Sequence, residues 1–232
     1  MVLTVHHLDN SRSQRILWLL EELQVPYEVK PYKRDAEHHA PKELKDVHIL
    51  GASPVLTEGD FVLAESGAIV EYLLRKYGKQ RETLPESAQI DDIYFTHYAE
   101  GSLMPILLSK IIYRMIPERA PVLLKPFLWC IFDALSHRLV TPQLRTHREY
   151  IEVRLGESEG GFFAGGSEPT AADFMMIFPL ELWGKMFPES FGPRCREYID
   201  RIHERCASQT SIPSATTELS DSIEKGGEYD LF

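Results

Sequence analysis

The stretch His6–Leu23, HHLDNSRSQRILWLLEEL, passes from a short apolar strand into an amphipathic helix. Ile16, Leu19, Leu20 and Leu23 fall on one helical face, which predicts a helix that buries that face. Asn10, Ser11, Arg12, Ser13 and Arg15 occupy the junction. A helix N-terminus carries about half a positive charge, so two arginines there each cost a few tenths of a kcal/mol unless an anion is nearby. Two readings stand at this point. In one, Arg12 and Arg15 pair with carboxylates such as Asp91, Asp92 or Glu100. In the other, the helix start, its N–H groups and the guanidinium groups hold an anionic ligand. Ser11 likewise reads either as a helix cap or as a hydroxyl donor that stabilises a ligand thiolate. With no His–Asp pair in the local stretch, Ser11 is not expected to be a hydrolase nucleophile. His6 and His7 are assigned to the strand's structure and to no metal.

Working outward, Val2–Leu8 reads as a strand and Tyr27–Tyr32 as a second, after a helix stopped by Pro26. Pro41, with Glu43 in the first turn, predicts a short helix over Pro41–Val47. SPVLTEGDFVLAES predicts a hairpin, with strands Val55–Thr57 and Phe61–Ala64 around Glu58-Gly59-Asp60. Ser66 then opens a helix with Ile69, Val70, Leu73, Leu74 and Tyr77 inward. The order β-α-β-α-β-β-α, with a right-handed crossover between the first two strands, predicts a four-stranded mixed sheet covered by helices.

GKQRETLPES, residues 78–87, reads as a linker. Beyond it everything reads as helical. Ile90, Ile93, Tyr94, His97, Tyr98 and Gly101 keep helical spacing, while Pro105, Pro126 and Pro142 are expected to kink or divide long helices. Leu144–Leu155 is a further helical segment. Thr170-Ala-Ala-Asp173 has the form of a capping box before FMMIFPLELW. Cys195, Tyr198, Ile199, Ile202 and Cys206 share one face of a last helix, and from Ala207 the chain reads as a surface tail. The domains expected are therefore 1–79 and 88–206, with a tail over 207–232.

The chain of 232 residues is 44% hydrophobic and 26% charged, the composition of a soluble globular protein, with a formal net charge of −10. That acidity argues against a nucleic acid as main partner. The three cysteines, Cys130, Cys195 and Cys206, form no CxxC pair and predict neither a disulfide framework nor a zinc site, which fits a reducing cytoplasmic setting. No secretory signal is read at the N-terminus. No run approaches the roughly 20 apolar residues of a membrane span. Pro121–Leu135, PVLLKPFLWCIFDAL, is the most apolar stretch and reads as core or interface rather than membrane contact.

Two further junctions bear on a ligand. Ser53-Pro54 precedes a strand, where a cis bond would leave the Ser53 backbone facing a ligand of peptide character. Glu65-Ser66 ends a strand and begins a helix. There Ser66 reads as a cap or, with the helix N–H groups, as a carboxylate site, and Glu65 suits an ammonium group.

In order along the chain, SRSQRILWLLEEL, PYKRD (31–35), GASPVL (51–56), AESGAIVEYL (64–73), YAEGSL (98–103) and TAADFMM (170–176) resemble the cytosolic glutathione transferases, particularly their fungal and bacterial branch. The resemblance covers both expected domains. It implies a thioredoxin-like N-terminal domain, an all-helical C-terminal domain and a homodimer. It implies reduced glutathione as cosubstrate, with no other cofactor and no metal. The second substrate would be a small electrophile, or a peroxide. By position, Ser11 resembles the thiolate-stabilising serine, with Asn10 and Ser13 open for the same role. Ser53, before Pro54, resembles the backbone partner of the glutathione cysteine. Glu65 and Ser66 resemble the binders of the γ-glutamyl end, and Arg15 the cation at the helix start. In the family a carboxylate from the neighbouring subunit often joins that end, and Glu100 is the candidate. Asp173 resembles a structural capping acid. Many relatives carry a basic or amide residue where this chain has Ala52, so the glycyl end must be met from elsewhere, by Lys42, Lys45 or His48. No cysteine precedes Cys130, which disfavours thiol exchange through an enzyme cysteine. A glutathione-binding regulatory protein without catalysis is the alternative on the same fold.

Overall fold

The structure is a computed structural model and describes residues 2–35, 39–78 and 84–209, with side chains to Cys206. The expected linker lies partly outside these residues. Of the expected tail, the backbone to Gln209 continues the last helix, and 210–232 lies outside the described residues.

Among the described residues, β1 (Leu3–Leu8), β2 (Tyr27–Tyr32), β3 (Val55–Glu58) and β4 (Phe61–Ala64) form one sheet in the order β2-β1-β3-β4. β1 and β2 run parallel, Leu3 opposite Tyr27 through Leu8 opposite Tyr32. α1 (Gln14–Glu22) is the crossover between them, as a parallel pair requires. β3 is antiparallel to both β1 and β4. α2 is shorter than expected, Leu44–Val47. From Pro41 the chain makes i→i+3 turns, in which Leu44 N–H donates to the Pro41 carbonyl at 3.2 Å. α3 (Ser66–Tyr77) follows β4.

The alternation of β1 feeds two faces. Leu3 and Val5 lie with Ile16, Leu19 and Leu20 of α1 and Ile69, Val70 and Leu73 of α3 among the buried residues, and α1 packs against α3. Each such side chain contributes about 1.5–3 kcal/mol on burial. On another side Leu8, Tyr32 and Leu44 form a small cluster beneath α2. With its α-β-α layers, mixed sheet and parallel β1-α1-β2 unit, this is the thioredoxin-like arrangement. The charged fork of Arg205 grips both oxygens of Glu22 at 2.6 and 2.9 Å, tying the end of the last helix to the end of α1.

The chain divides into two compact units, one built on residues to Leu84 together with the chain from Arg201, the other Pro85–Asp200. The second unit is helical: α4 (Glu86–Tyr98), α5 (Met104–Arg119), α6 (Lys125–Leu135), α7 (Thr141–Glu157), α8 (Ala171–Met186) and α9 (Pro193–Gln209), whose end belongs to the first unit. Wide π-type turns, Ala99–Leu103 and Ser136–Val140, join α4 to α5 and α6 to α7. Pro105, Pro126 and Pro142 each occupy the second position of α5, α6 or α7, where they divide the helical run.

Two helical faces are decided only by the packing. α4 turns Asp92, Phe95, Thr96 and Tyr98 inward, while Ile90, Ile93 and Tyr94 are exposed. Phe95 stacks with Tyr150, Tyr98 meets Tyr150 edge-on, and Phe95 packs tilted against Phe163, in an aromatic cluster. The apolar stretch around α6 is not core at all: no α6 residue is buried, and Leu123, Phe127 and Trp129 lie open. Among the described residues no helix is long and apolar enough to cross a membrane.

Candidate functional site

The sheet register brings the expected ligand residues of the first unit to one end. His6 sits opposite Val55, and Val55 opposite Ala64. The end of β1, the start of β3 and the end of β4 therefore coincide, and α1 and α3 both begin there. Ser11, Ser53-Pro54 and Glu65-Ser66 all belong to this end.

Ser11 and Ser53 meet directly, their hydroxyl oxygens 3.4 Å apart. The Ser53 hydroxyl donates to the His6 carbonyl at 2.8 Å and accepts the Leu8 N–H at 3.1 Å, which fixes the loop against β1. The Ser53-Pro54 peptide bond is cis. Asn10 takes the left-handed conformation, φ 51°, a region that asparagine enters more readily than most residues. This bend lets Ser11 turn back under the start of α1.

α1 begins without the expected cap. Ser13, not Ser11, occupies the cap position, in helical conformation and with no side-chain capping bond. Its hydroxyl is 2.7 Å from Ser11 Oγ and 2.7 Å from His7 Nδ1, and its N–H donates to Ser11 Oγ at 3.3 Å. Ser11, Ser13 and His7 are all buried. The sequence reading missed His7 as a neighbour of this cluster, although strand alternation points His6 and His7 to opposite faces. His6 spends both ring nitrogens elsewhere, on Tyr32 Oη at 2.9 Å and Thr57 Oγ1 at 3.2 Å. Burial, with Lys30 nearby, holds His6 below the ordinary histidine pKa.

Glu65 is exposed and carries φ 74°, a positive value that costs a non-glycine residue of order 1–3 kcal/mol. Such strain persists where the surroundings fix it, and it concentrates at ligand clamps. Here it turns the chain from β4 into α3, whose first residue, Ser66, is buried.

The cations are distributed unequally. Arg15 has no surface exposed to a ligand arriving from solvent. Two of the three carboxylates considered for the arginines also have partners within the helical unit: Asp91 meets Arg154 at 2.5 Å, and Asp92 accepts the Ala172 N–H at 2.8 Å. Lys42 is exposed in the turn before α2. Lys45 lies closer to the Ser53 loop, its side-chain stem so near Gly51 (φ 58°) that a Cβ there would come within 2.7 Å of Lys45 Cγ. Glu100 is half-buried on the π-type turn after α4, in the other unit. Trp183 of α8 is buried and donates to Ser190 at 2.9 Å. Cys195 is buried beside Glu152, and both effects push its thiol well above the ordinary range.

Comparison with known proteins identifies the family. The family model described as "Glutathione S-transferase, N-terminal domain" matches residues 1–75. Glutathione S-transferase 1 of Saccharomyces cerevisiae is 34% identical over 190 residues, covering 78% of this chain and 80% of the yeast protein. Glutathione S-transferase 3 of Schizosaccharomyces pombe is 33% identical over 181 residues, with coverage of 77% and 73%. A glutathione S-transferase structure from Actinobacillus pleuropneumoniae superposes with a TM-score of 0.64 at 26% identity, over 99% of this chain and 95% of that one. On this similarity across both units, the chain belongs to the glutathione S-transferase family.

Proposed function

We propose that Ser11 is the catalytic serine of this glutathione transferase and that glutathione lies along the shared end of β1, β3 and β4. The chain is an enzyme that uses glutathione as cosubstrate. Its Ser11 hydroxyl donates to the glutathione sulfur and holds it as a thiolate. The thiolate then attacks a small electrophile, or reduces a peroxide. The observation that carries this reading is the convergence of Ser11, Ser53 and the strained Glu65-Ser66 junction at that end. Lowering a thiol pKa by about two units is worth ~3 kcal/mol. A hydrogen bond from a hydroxyl to an anion supplies ~1.5–3 kcal/mol of it, and the α1 dipole with the enclosed Arg15 charge adds to it.

The Ser53 backbone, beside Pro54, pairs with the cysteinyl part of glutathione. Ser66 and the α3 N–H groups bind its γ-glutamyl carboxylate, and Glu65 its ammonium, with Glu100 of a second subunit assisting. Lys42 or Lys45 meets the glycyl end. In this scheme residues 1–79 bind glutathione, 88–206 shape the electrophile site, and the protein works as a cytoplasmic homodimer. The exposed apolar faces of α4 (Ile90, Ile93) and α6 (Phe127, Trp129) support self-association.

Calorimetry with glutathione, paired with a conjugation assay using a chlorodinitrobenzene electrophile, tests the reading. Saturable binding with turnover is expected. Binding without turnover for any electrophile or peroxide would contradict the catalytic role. Light scattering is expected to give twice the chain mass, and a monomer with full glutathione affinity would remove Glu100 of a second subunit from the site.

A further inference from the structure

The hydroxyls of Ser11 and Ser13 do not end in solvent. They form an unbroken file from the expected position of the sulfur to His7: Ser11 Oγ to Ser13 Oγ at 2.7 Å, Ser13 Oγ to His7 Nδ1 at 2.7 Å, with every member at most 6% exposed. Both distances are ordinary for strong hydrogen bonds. The side branch is closed. Ser53 has one hydroxyl hydrogen, and the His6 carbonyl takes it at 2.8 Å. At the 3.4 Å Ser11–Ser53 contact, therefore, Ser53 has no hydrogen to give Ser11. His6 cannot substitute for His7, because its nitrogens meet Tyr32 and Thr57.

We propose that Ser11, Ser13 and His7 form a proton relay that takes the thiol proton of bound glutathione onto His7 Nδ1. This rests on the function proposed above and adds the destination of the proton. A file of two hydroxyls ending in an imidazole has two settings. In the first, the thiol donates to Ser11, Ser11 to Ser13, and Ser13 to the unprotonated Nδ1. A one-place shift breaks the S–H bond, gives that proton to Ser11 Oγ, passes the Ser11 proton to Ser13 and the Ser13 proton to Nδ1. Each serine keeps one hydrogen. Thiol and imidazole become thiolate and Nδ1-protonated imidazole, and every bond in the file reverses. Ser11 then donates to the sulfur, the direction that stabilises a thiolate. His7 is thus a positioning residue, which acts on the sulfur only through the serines.

β2 sets uncharged Pro31 in register with His7. The loop and first turn of α1 carry Asp9, Arg12 and Arg15, and Glu65 ends β4.

The test is the nitrogen NMR signal of the His7 ring in the full chain at neutral pH. Glutathione is expected to convert Nδ1 from an acceptor to an N–H nitrogen, and S-methylglutathione, which has no thiol proton, is expected to leave it unchanged. In Ser13→Ala the Nδ1 response disappears while S-methylglutathione still binds, and the pH titration of the bound thiol, read by thiolate absorbance, moves up by about one unit. Glutathione that binds as thiolate while Nδ1 stays unprotonated overturns the relay alone. The same response to S-methylglutathione also overturns it. Failure of glutathione to bind at all overturns the relay together with the function beneath it.

Discussion

Two helix starts, one in each unit, are built from similar residues to opposite ends. At the start of α8, Thr170 and Asp173 form a reciprocal capping box. Asp173 accepts the Thr170 N–H and the Phe163 N–H at 2.9 Å each, and the Tyr198 hydroxyl at 2.9 Å. Asp92 takes the Ala172 N–H. The junction is closed and buried, and its polar groups are spent on the fold. At the start of α1 the hydroxyls bond to one another and to His7, no acidic residue stands in the first turn, and no side chain caps the helix. The same donors, left off the backbone, are available to organise a ligand. A helix start that satisfies itself stabilises a domain; one that does not can serve chemistry.

The largest effect expected is at the closed junction. Asp173→Ala strands two buried N–H groups and the Tyr198 hydroxyl, so urea unfolding should show a loss of about 3–5 kcal/mol. A loss below ~1 kcal/mol would mean that the capping box is ornamental. At the open junction Ser11→Ala should leave stability within ~0.5 kcal/mol but lower kcat/KM for conjugation by about a hundredfold, some 2.7 kcal/mol. If Asn10→Ala lowers it as far and Ser11→Ala does not, the catalytic assignment moves to the neighbour.

The third contrast is in pH. Burial pushes Asp173 up to about 6, against four hydrogen-bond donors that pull it down. The ordinary unfolded value is about 3.9. The folded chain therefore keeps a proton that the unfolded chain releases. This contribution to stability is complete below about pH 4 and is lost as pH rises through about 6. Asp173→Asn, compared with the parent by denaturant midpoints over that interval, should abolish this part of the pH dependence; an unchanged slope contradicts it. Smaller still, Ser66→Ala should weaken glutathione binding about tenfold, ~1.4 kcal/mol, with the fold intact by circular dichroism. Unchanged affinity by calorimetry would remove Ser66 from the site.

The same pair of junctions shows what the sequence could reveal. The capping box at Thr170–Asp173 was legible because both partners lie within one turn, and spacing alone brings them together. The strands and the β1-α1-β2 crossover were legible for a similar reason, since period and turn residues are local signals. His7 and Ser13 were not paired in that reading because their contact depends on how α1 folds back beside β1. Spacing gave no sign that Asp92, offered to an arginine, also accepts the Ala172 N–H at the start of α8, and the exposed Ile90 and Ile93 keep the same helical period as a buried face. Periodicity names a face; it does not say what covers it. The open α6 face is the plainest instance, where an apolar stretch read as core or interface has no buried residue.

The central claim is that the Ser11 hydroxyl at the start of α1 holds the bound sulfur as an anion. Titrating the ultraviolet thiolate absorbance of enzyme-bound glutathione against pH, in the parent and in Ser11→Ala, tests it directly. The account predicts a midpoint below that of free glutathione in the parent, raised by about two units in the variant while glutathione remains bound. Coincident titration curves for the two proteins, at equal saturation with glutathione, would contradict it.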